Sequence, residues 1–186
     1  YEGLLDMRMN HSGQLDASQV VNEYTLENLR MVLSQYGDLR NTHKLAAAIV
    51  KERKEAPIKT TQALVALLTP IIPKHIFNKI IAQVFQAIRI EVNDELGVIK
   101  SFLKQTIDIL KQNGRLVCIS YHSLEDRLVK RFIRSGLFQG DAKKDIYGNE
   151  KLPYSKVGKL IVPTEVEIKL NNSCLLYTSP SPRDYT

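Results

Sequence analysis

The chain is 186 residues long, 44% hydrophobic and 25% charged, the make-up of a globular protein with one domain or two small ones. Its net charge of +6 and pI of about 9.3 favour a polyanion partner. No apolar run is long enough to span a bilayer, which puts nucleic acid ahead of membrane, and two cysteines, Cys118 and Cys174, make neither a disulfide framework nor a zinc site, as expected in a reducing, cytoplasmic compartment.

No secretory signal is visible, and Tyr1 opens in mid-pattern. Residues Tyr1 to Asn10 read as a loop entering the domain. Asp16 can cap a helix over Ala17 to Asn22. Thr25 can cap a second, with Leu26, Leu29, Val32 and Leu33 on one face and Gly37 as its stop. Asp38 can cap a third, with Leu45, Ala48 and Ile49 inward; Lys51, Arg53 and Lys54 crowd its carboxyl end, where the helix dipole favours cations, and Pro57 ends it. Thr60 or Thr61 opens a fourth, ended by Pro70 and Pro73. The short connections suit antiparallel helices, so residues 11–75 are predicted to form a small all-α unit.

One long helix is predicted next. Ile81, Val84, Phe85, Ile88, Val92, Leu96, Ile99 and Leu103 recur at three- and four-residue steps, and the pattern frays near Thr106. Gln86, Arg89 and Asn93 share another face at helical spacing. Asn113-Gly114 turns the chain into a strand over Leu116 to Ser120, and Ser123 to Arg134 reads as a helix. After Gly136 the pattern weakens into a Lys-rich loop through Gly140, Gly148 and Pro153. Leu160 to Val162 is predicted as a strand, and Pro163-Thr164 with Glu165 and Glu167 as a helix start. Cys174 to Thr186, with its Ser-Pro-Ser-Pro, fits none of this and reads as a non-native tail. No internal repeat is evident.

The stretch Arg115 to Arg127 concentrates the chemistry. An apolar run, Leu116-Val117-Cys118-Ile119, stops in Ser120, Tyr121, His122 and Ser123 just before a helical pattern. In an open α/β sheet ligands bind at the carboxyl ends of strands, so Ser120 and His122 are candidate pocket residues. Ser123-Leu124-Glu125-Asp126 has the form of a capping box, and helix capping alone accounts for Ser123 and Asp126. It does not account for Ser120 or His122, although a histidine past a strand end is often only structural. Arg127, Lys130, Arg131 and Arg134 lie on one side of the following helix, as ordinary solvated surface or as contacts for phosphate. Arg89 between Ile88 and Ile90 is half-buried by pattern and needs a partner. Asp6 and Arg8 can pair with each other or present charge to RNA. No glycine-rich phosphate loop, metal-ligand spacing or nucleophile–base arrangement is present, so the residues alone support a basic α/β fragment with a polar strand end.

Three longer motifs add to this reading. Leu5-Asp6-Met7-Arg8-Met9, then Val84 to Leu96 (VFQAIRIEVNDEL), then Gly114-Arg115-Leu116-Val117 with Ile119 to Arg127 (ISYHSLEDR) occur in order, and Ile161-Val162-Pro163 with Glu165 and Glu167 continues them. This pattern resembles the RsmH (MraW) family of bacterial small-subunit ribosomal RNA methyltransferases, over nearly everything from Tyr1 to about Ser173. The resemblance implies transfer of a methyl group from S-adenosyl-L-methionine to the exocyclic N4 of a cytidine in the decoding region of 16S ribosomal RNA. It implies an α/β fold: a partial Rossmann-like class I methyltransferase sheet with an inserted all-α substrate-recognition domain. Residues 1–10 would lead from the methyltransferase core, 11–75 would be the insertion, 76–173 the carboxyl-terminal part of the methyltransferase domain, and 174–186 the non-native tail.

The resemblance also sets expectations for sites. The family's cofactor-binding residues precede Tyr1, and its last strand would begin near Cys174, so the fragment by itself is expected to be inactive. His122, with Ser120, is expected to line the cytosine pocket. Arg89 and Asn93 would brace it, and Arg8, Arg127, Lys130, Arg131 and Arg134 would meet RNA. Leu4 and Asn10 depart from the usual family residues, proline and aspartate. The expected partner is 16S ribosomal RNA or the small ribosomal subunit; a homodimer is left open, and no metal or membrane is expected. The rival reading is a non-catalytic basic RNA-binding or scaffold module.

Overall fold

The computed structural model describes residues 3–10, 13, 15–140, 152–155, 157 and 164–170. It divides into two compact units, Tyr1–Pro153 and Tyr154–Thr186.

The first unit begins with helices whose starts follow local capping chemistry. Helix α1 spans Ala17–Glu23; the Asp16 carboxylate accepts the Gln19 N–H at 2.8 Å, and Gln19 Oε1 accepts the Asp16 N–H at 3.0 Å. Helix α2 spans Leu26–Gly37, capped by Thr25, whose hydroxyl accepts the Asn28 N–H. Helix α3 spans Thr42–Glu52, and α4 spans Thr61–Leu68, capped by Thr60. A 3₁₀ turn over Lys74–Ile76 leads into α5, Phe77–Asn93.

Two local expectations shift here. Asp38 does not cap α3; it sits in the left-handed region (φ 52°) and ends α2, while Asn41 precedes α3 without a side-chain cap bond. The reversal at Asp38 lets Leu39 turn inward, 6% exposed, and this displaces the next helix start to Thr42. Helix α3 ends at Glu52, before Pro57, and it buries Ala46 rather than Ala48 beside Leu45 and Ile49.

Helices α1 to α4 share one core with α5. Val20, Val21, Leu29, Val32, Leu33, Leu45, Ile49, Leu64 and Leu68 pack with Val84, Ala87 and Ile88 of α5. Each large aliphatic side chain buried there contributes about 1.5–3 kcal/mol, so this cluster dominates the stability of the unit. Leu5 joins the same core. Its segment is held by Leu5 N–H donating to Lys59 O and Thr61 N–H donating to Gly3 O, both at 3.0 Å, around an isolated antiparallel bridge between Leu4 and Thr60.

The predicted long helix is two helices. Helix α5 stops at Asn93, Asp94 turns left-handed (φ 45°, ψ 42°), and α6 runs over Glu95–Ile109. The apolar periodicity continues across the break, because a single left-handed residue redirects the axis without changing the spacing of the pattern. Aspartate is among the few non-glycine residues that tolerate this conformation.

Residues 115–120 are extended, but no ladder forms there among the described residues. The alternation of a strand is nevertheless present. Leu116, Cys118 and Ser120 are half-buried, whereas Val117, Ile119 and Tyr121 are 82%, 98% and 76% exposed. A strand is defined by its hydrogen-bonded neighbour, which this segment lacks among the described residues. Cys118, expected in a buried strand, is half-buried, and that burial pushes its thiol pKa up. Helix α7 follows over Ser123–Ser135 and ends on Gly136 in the left-handed conformation (φ 69°). Phe132 is buried, and its ring stacks on Phe138 with centroids 4.7 Å apart.

In the second unit α8 spans Glu165–Leu170. Thr164 and Glu167 form a reciprocal pair: the Glu167 carboxylate accepts the Thr164 N–H at 2.7 Å, and the Thr164 hydroxyl accepts the Glu167 N–H at 3.3 Å. The Thr164 N–H, and then the Thr164 hydroxyl donating to the same Oε2 at 2.9 Å, hold the Glu167 carboxyl pKa down. The expected strand Leu160 to Val162 and the tail from Cys174 lie outside the described residues, as does most of the loop after Gly140.

Candidate functional site

The three motif segments of the first unit meet at the joint between α5 and α6. Asn93, the last residue of α5, reaches the first segment with both ends of its amide. Its Oδ1 accepts the Met9 N–H at 2.8 Å, and its Nδ2 donates to Met7 O at 2.9 Å and to Arg89 O at 2.8 Å. Met7 itself is left-handed (φ 60°). Beside it Asp6 grips Arg8 at two points, Nε to Oδ1 and Nη2 to Oδ2, each 2.8 Å, and Arg8 Nη1 donates to Gly13 O. The Asp6 hydrogen bond raises the Arg8 pKa further. Of the two alternatives open for Asp6 and Arg8, the structure has the local pair.

Arg89 has the partner its half-buried position demands. Its Nε donates to Glu95 Oε1 at 2.7 Å and its Nη2 to Glu95 Oε2 at 3.2 Å, and this bond raises the guanidinium pKa. The pair spans six residues, which a straight helix would put on different faces; the left-handed Asp94 folds Glu95 back toward α5. Periodicity therefore missed Glu95. The available signal was the partner requirement of Arg89 itself.

His122 stands at the start of α7 and not in the preceding strand end. It is the N-cap: its Nδ1 accepts the Glu125 N–H at 3.4 Å, and Glu125 Oε2 accepts the His122 N–H at 3.4 Å and the Tyr121 N–H at 2.7 Å. The expected capping box of Ser123 and Asp126 is thus displaced by one residue to His122 and Glu125. The His122 Nδ1 stands as far along its side chain as the oxygen of an asparagine cap, so the ring can accept the N–H three residues on, and Glu125 rather than Asp126 completes the box. His122 Nε2 lies 3.5 Å from Glu125 Oε1 and 4.0 Å from Glu95 Oε2, with the His122 side chain 8% exposed. That nitrogen is buried and has no hydrogen-bond partner among the described residues.

Ser120 is separate from this cluster. It lines an open cavity of about 310 Å³ with Ile99, Phe102, Val117, Cys118 and Glu125. Glu125 is the residue common to both.

Glu95, His122 and Glu125 bring three potential ligand atoms within 4.8 Å of one another. Two facts make this a poor cation site. Ligation through Nε2 would move the ring proton to Nδ1, which faces the Glu125 N–H. Arg89 also already neutralises Glu95 at both oxygens.

The basic side of α7 is exposed. Lys130 pairs with Asp126 at 2.9 Å, and Arg131 donates to Gly140 O at 2.9 Å. Arg127 and Arg134 form no ion pair among the described residues. This face is apart from the buried cluster, as expected of a surface for phosphate or simply for water.

Comparison with known proteins covers all three segments. Residues 1–175 match the MraW methylase family. The chain is 55% identical to the ribosomal RNA small subunit methyltransferase H of Christiangramia forsetii over 172 residues, 92% of this chain and 57% of that protein. Its identity to the proteins of the same name from Amoebophilus asiaticus and Flavobacterium johnsoniae is 53% and 52%, again over 92% of this chain and 56% and 57% of theirs. The chain thus spans somewhat more than half the length of these relatives. Because the match runs unbroken through the segments that converge on Asn93, Glu95 and His122, the chain belongs to the MraW methylase family.

Proposed function

We propose that this chain is the carboxyl-terminal part of an S-adenosyl-L-methionine-dependent methyltransferase acting on the exocyclic N4 of a cytidine in the decoding region of 16S ribosomal RNA. The observation that carries the reading is the meeting of three family segments at one joint, with a buried histidine and two carboxylates between them. In this reading residues 1–10 lead from the methyltransferase core, 11–75 are the inserted recognition unit, 76–173 complete the core, and 174–186 are not native. The extended segment 115–120, with Val117 and Ile119 facing solvent, is the strand that a Rossmann-like sheet would cover.

The cofactor would supply the reactive methyl group. The described residues do not build its site. The open cavity is lined mostly by apolar residues, with Glu125 and Ser120 as its polar ones and no glycine among them. The donor site is accordingly assigned to the part of the full-length protein that this chain does not span. What these residues do is position. Ser120 borders the acceptor pocket directly and His122 through Glu125, Arg89 and Asn93 brace it from α5, and Arg8, Arg127, Lys130, Arg131 and Arg134 serve the RNA backbone, Arg8 through the turn it holds with Asp6.

The test is methyl transfer from labelled donor to unmodified small subunits by the full-length parent chain. Label at N4 of a single decoding-region cytidine is the expected result; label on another base, or on protein, overturns the reading. The 186-residue chain alone should transfer nothing. The exposed cations of α7 favour a second reading for that shorter chain, a basic RNA-binding module. Salt-sensitive RNA binding by a parent chain that never transfers methyl would decide for it.

A further inference from the structure

The His122 ring is fixed at one nitrogen and open at the other. Nδ1 accepts a backbone N–H from Glu125, so in the neutral ring the proton sits on Nε2. That N–H is buried and lacks a hydrogen-bond partner among the described residues, a costly state for a donor shielded from water. Two carboxylates face it. Glu125 Oε1 is nearer, at 3.5 Å, but Glu125 belongs to the same first turn as His122, its Oε2 taking the Tyr121 and His122 backbone N–H groups, so it ties the ring only to its own helix. Glu95 Oε2, at 4.0 Å, comes from a different element and is aimed by its two-point contact with Arg89.

We propose that Glu95 is a positioning residue for His122. Its carboxylate, oriented by Arg89, attracts the Nε2–H and holds the imidazole in that tautomer with Nδ1 seated on the α7 cap. No proton changes owner; the carboxylate acts only as an electrostatic anchor. Arg89 on α5, Glu95 on α6 and His122 at the start of α7 then form one chain of contacts, which orients the α7 terminus against the α5–α6 joint. The consequence for turnover rests on reading His122 as a pocket residue. The consequence for the ring itself does not.

The ring is tested by ¹H–¹⁵N correlation spectra of the imidazole nitrogens in the chain carrying the surface changes Val117→Thr and Ile119→Lys, and in the same background with Glu95→Ala and Glu95→Gln. The native ring should carry its proton on Nε2 in roughly tenfold excess or more, the worth of one hydrogen bond to a charged group. Glu95→Ala should reduce that excess several-fold. Glu95→Gln, whose amide oxygen still accepts, should keep the tautomer while shifting the Nε2 proton resonance. A native ring protonated on Nδ1 overturns the proposal, as do ring resonances that ignore the loss of Glu95. Should Glu95→Ala fail to fold, the Nε2 proton shift in Glu95→Gln decides alone.

Turnover is read in the full-length Christiangramia forsetii relative. Alanine at the matching position should lower kcat about ten- to a hundredfold, the effect of a misplaced group, and leave the KM for RNA unchanged. An unchanged kcat beside altered ring resonances reduces Glu95 to a structural contact and also overturns the proposal. If that relative proves to methylate no RNA, the function reading fails while the ring measurements still judge the tautomer.

Discussion

Tyr24 shows how one side chain couples elements that the sequence pattern keeps separate. Its hydroxyl donates to Glu91 Oε1 at 2.7 Å, joining the end of α1 to α5. Burial first, then the Glu91 carboxylate, pushes its pKa from the usual 10 up to about 12. A folded pKa above the unfolded one means stability that is fully present below about pH 10 and lost as pH rises through about 12. In urea unfolding, Tyr24→Phe should cost roughly 1 kcal/mol at neutral pH and remove this part of the alkaline loss. Tyr36, also raised by burial, will leave a residual slope. Gly37 makes the opposite kind of contact. A Cβ there would stand 3.0 Å from the Gln83 carbonyl of α5 and 3.1 Å from Leu39. Alanine gains about 1 kcal/mol of helix propensity and loses about 1–3 kcal/mol by overpacking, so Gly37→Ala should be a net loss of about 1 kcal/mol in the same assay. A pattern of residue types marks Gly37 as a stop; only the approach of α5 makes it a packing requirement.

At the scale of elements, helix starts were legible where a short oxygen-bearing side chain sits at the right spacing. Asp16, Thr25 and Thr60 all cap as their spacing implies. The cap of α7 lies one residue before the Ser123 that the pattern favours, because histidine is a rare cap although its Nδ1 can accept a backbone N–H. His122→Ala should therefore destabilise the first turn of α7 by about 1 kcal/mol, whereas His122→Asn should retain most of that cap. Amide exchange at Asp126 and Glu125 would report it; equal protection in both variants would return the cap to Ser123. The break at Asp94 was illegible for a different reason. Apolar periodicity reports which side is buried, not whether the axis is straight. Because Arg89 and Glu95 meet only across that break, the buried acid cluster was invisible until the two helices were placed.

On the whole molecule, the described surface carries an exposed apolar face. Val98 and Phe102 of α6 are 62% and 53% exposed, and Phe102 shares a cavity with Val117 and Ile119. Open backbone and exposed aliphatics together favour self-association. The 186-residue chain should therefore sediment as oligomers at micromolar concentration, and Val117→Thr with Ile119→Lys should shift it toward monomer. The opposite, basic property belongs to α7. If Arg127 and Arg134 meet phosphate, replacing both with alanine should lessen the slope of log affinity for RNA against log salt by about 1 per arginine, with little change in sequence preference.

The amino-acid sequence by itself determined the order of the elements, most helix starts, the apolar faces and the family, because these depend on near neighbours and on residue type at short spacing. Tertiary structure alone decided that Arg89 turns to Glu95, that His122 caps α7 with Nε2 between two carboxylates, and that Asn93 ties down Met7 and Met9. Those contacts depend on a single left-handed residue and on the packing of distant segments, and the free energy that places them is distributed over a core no local window contains.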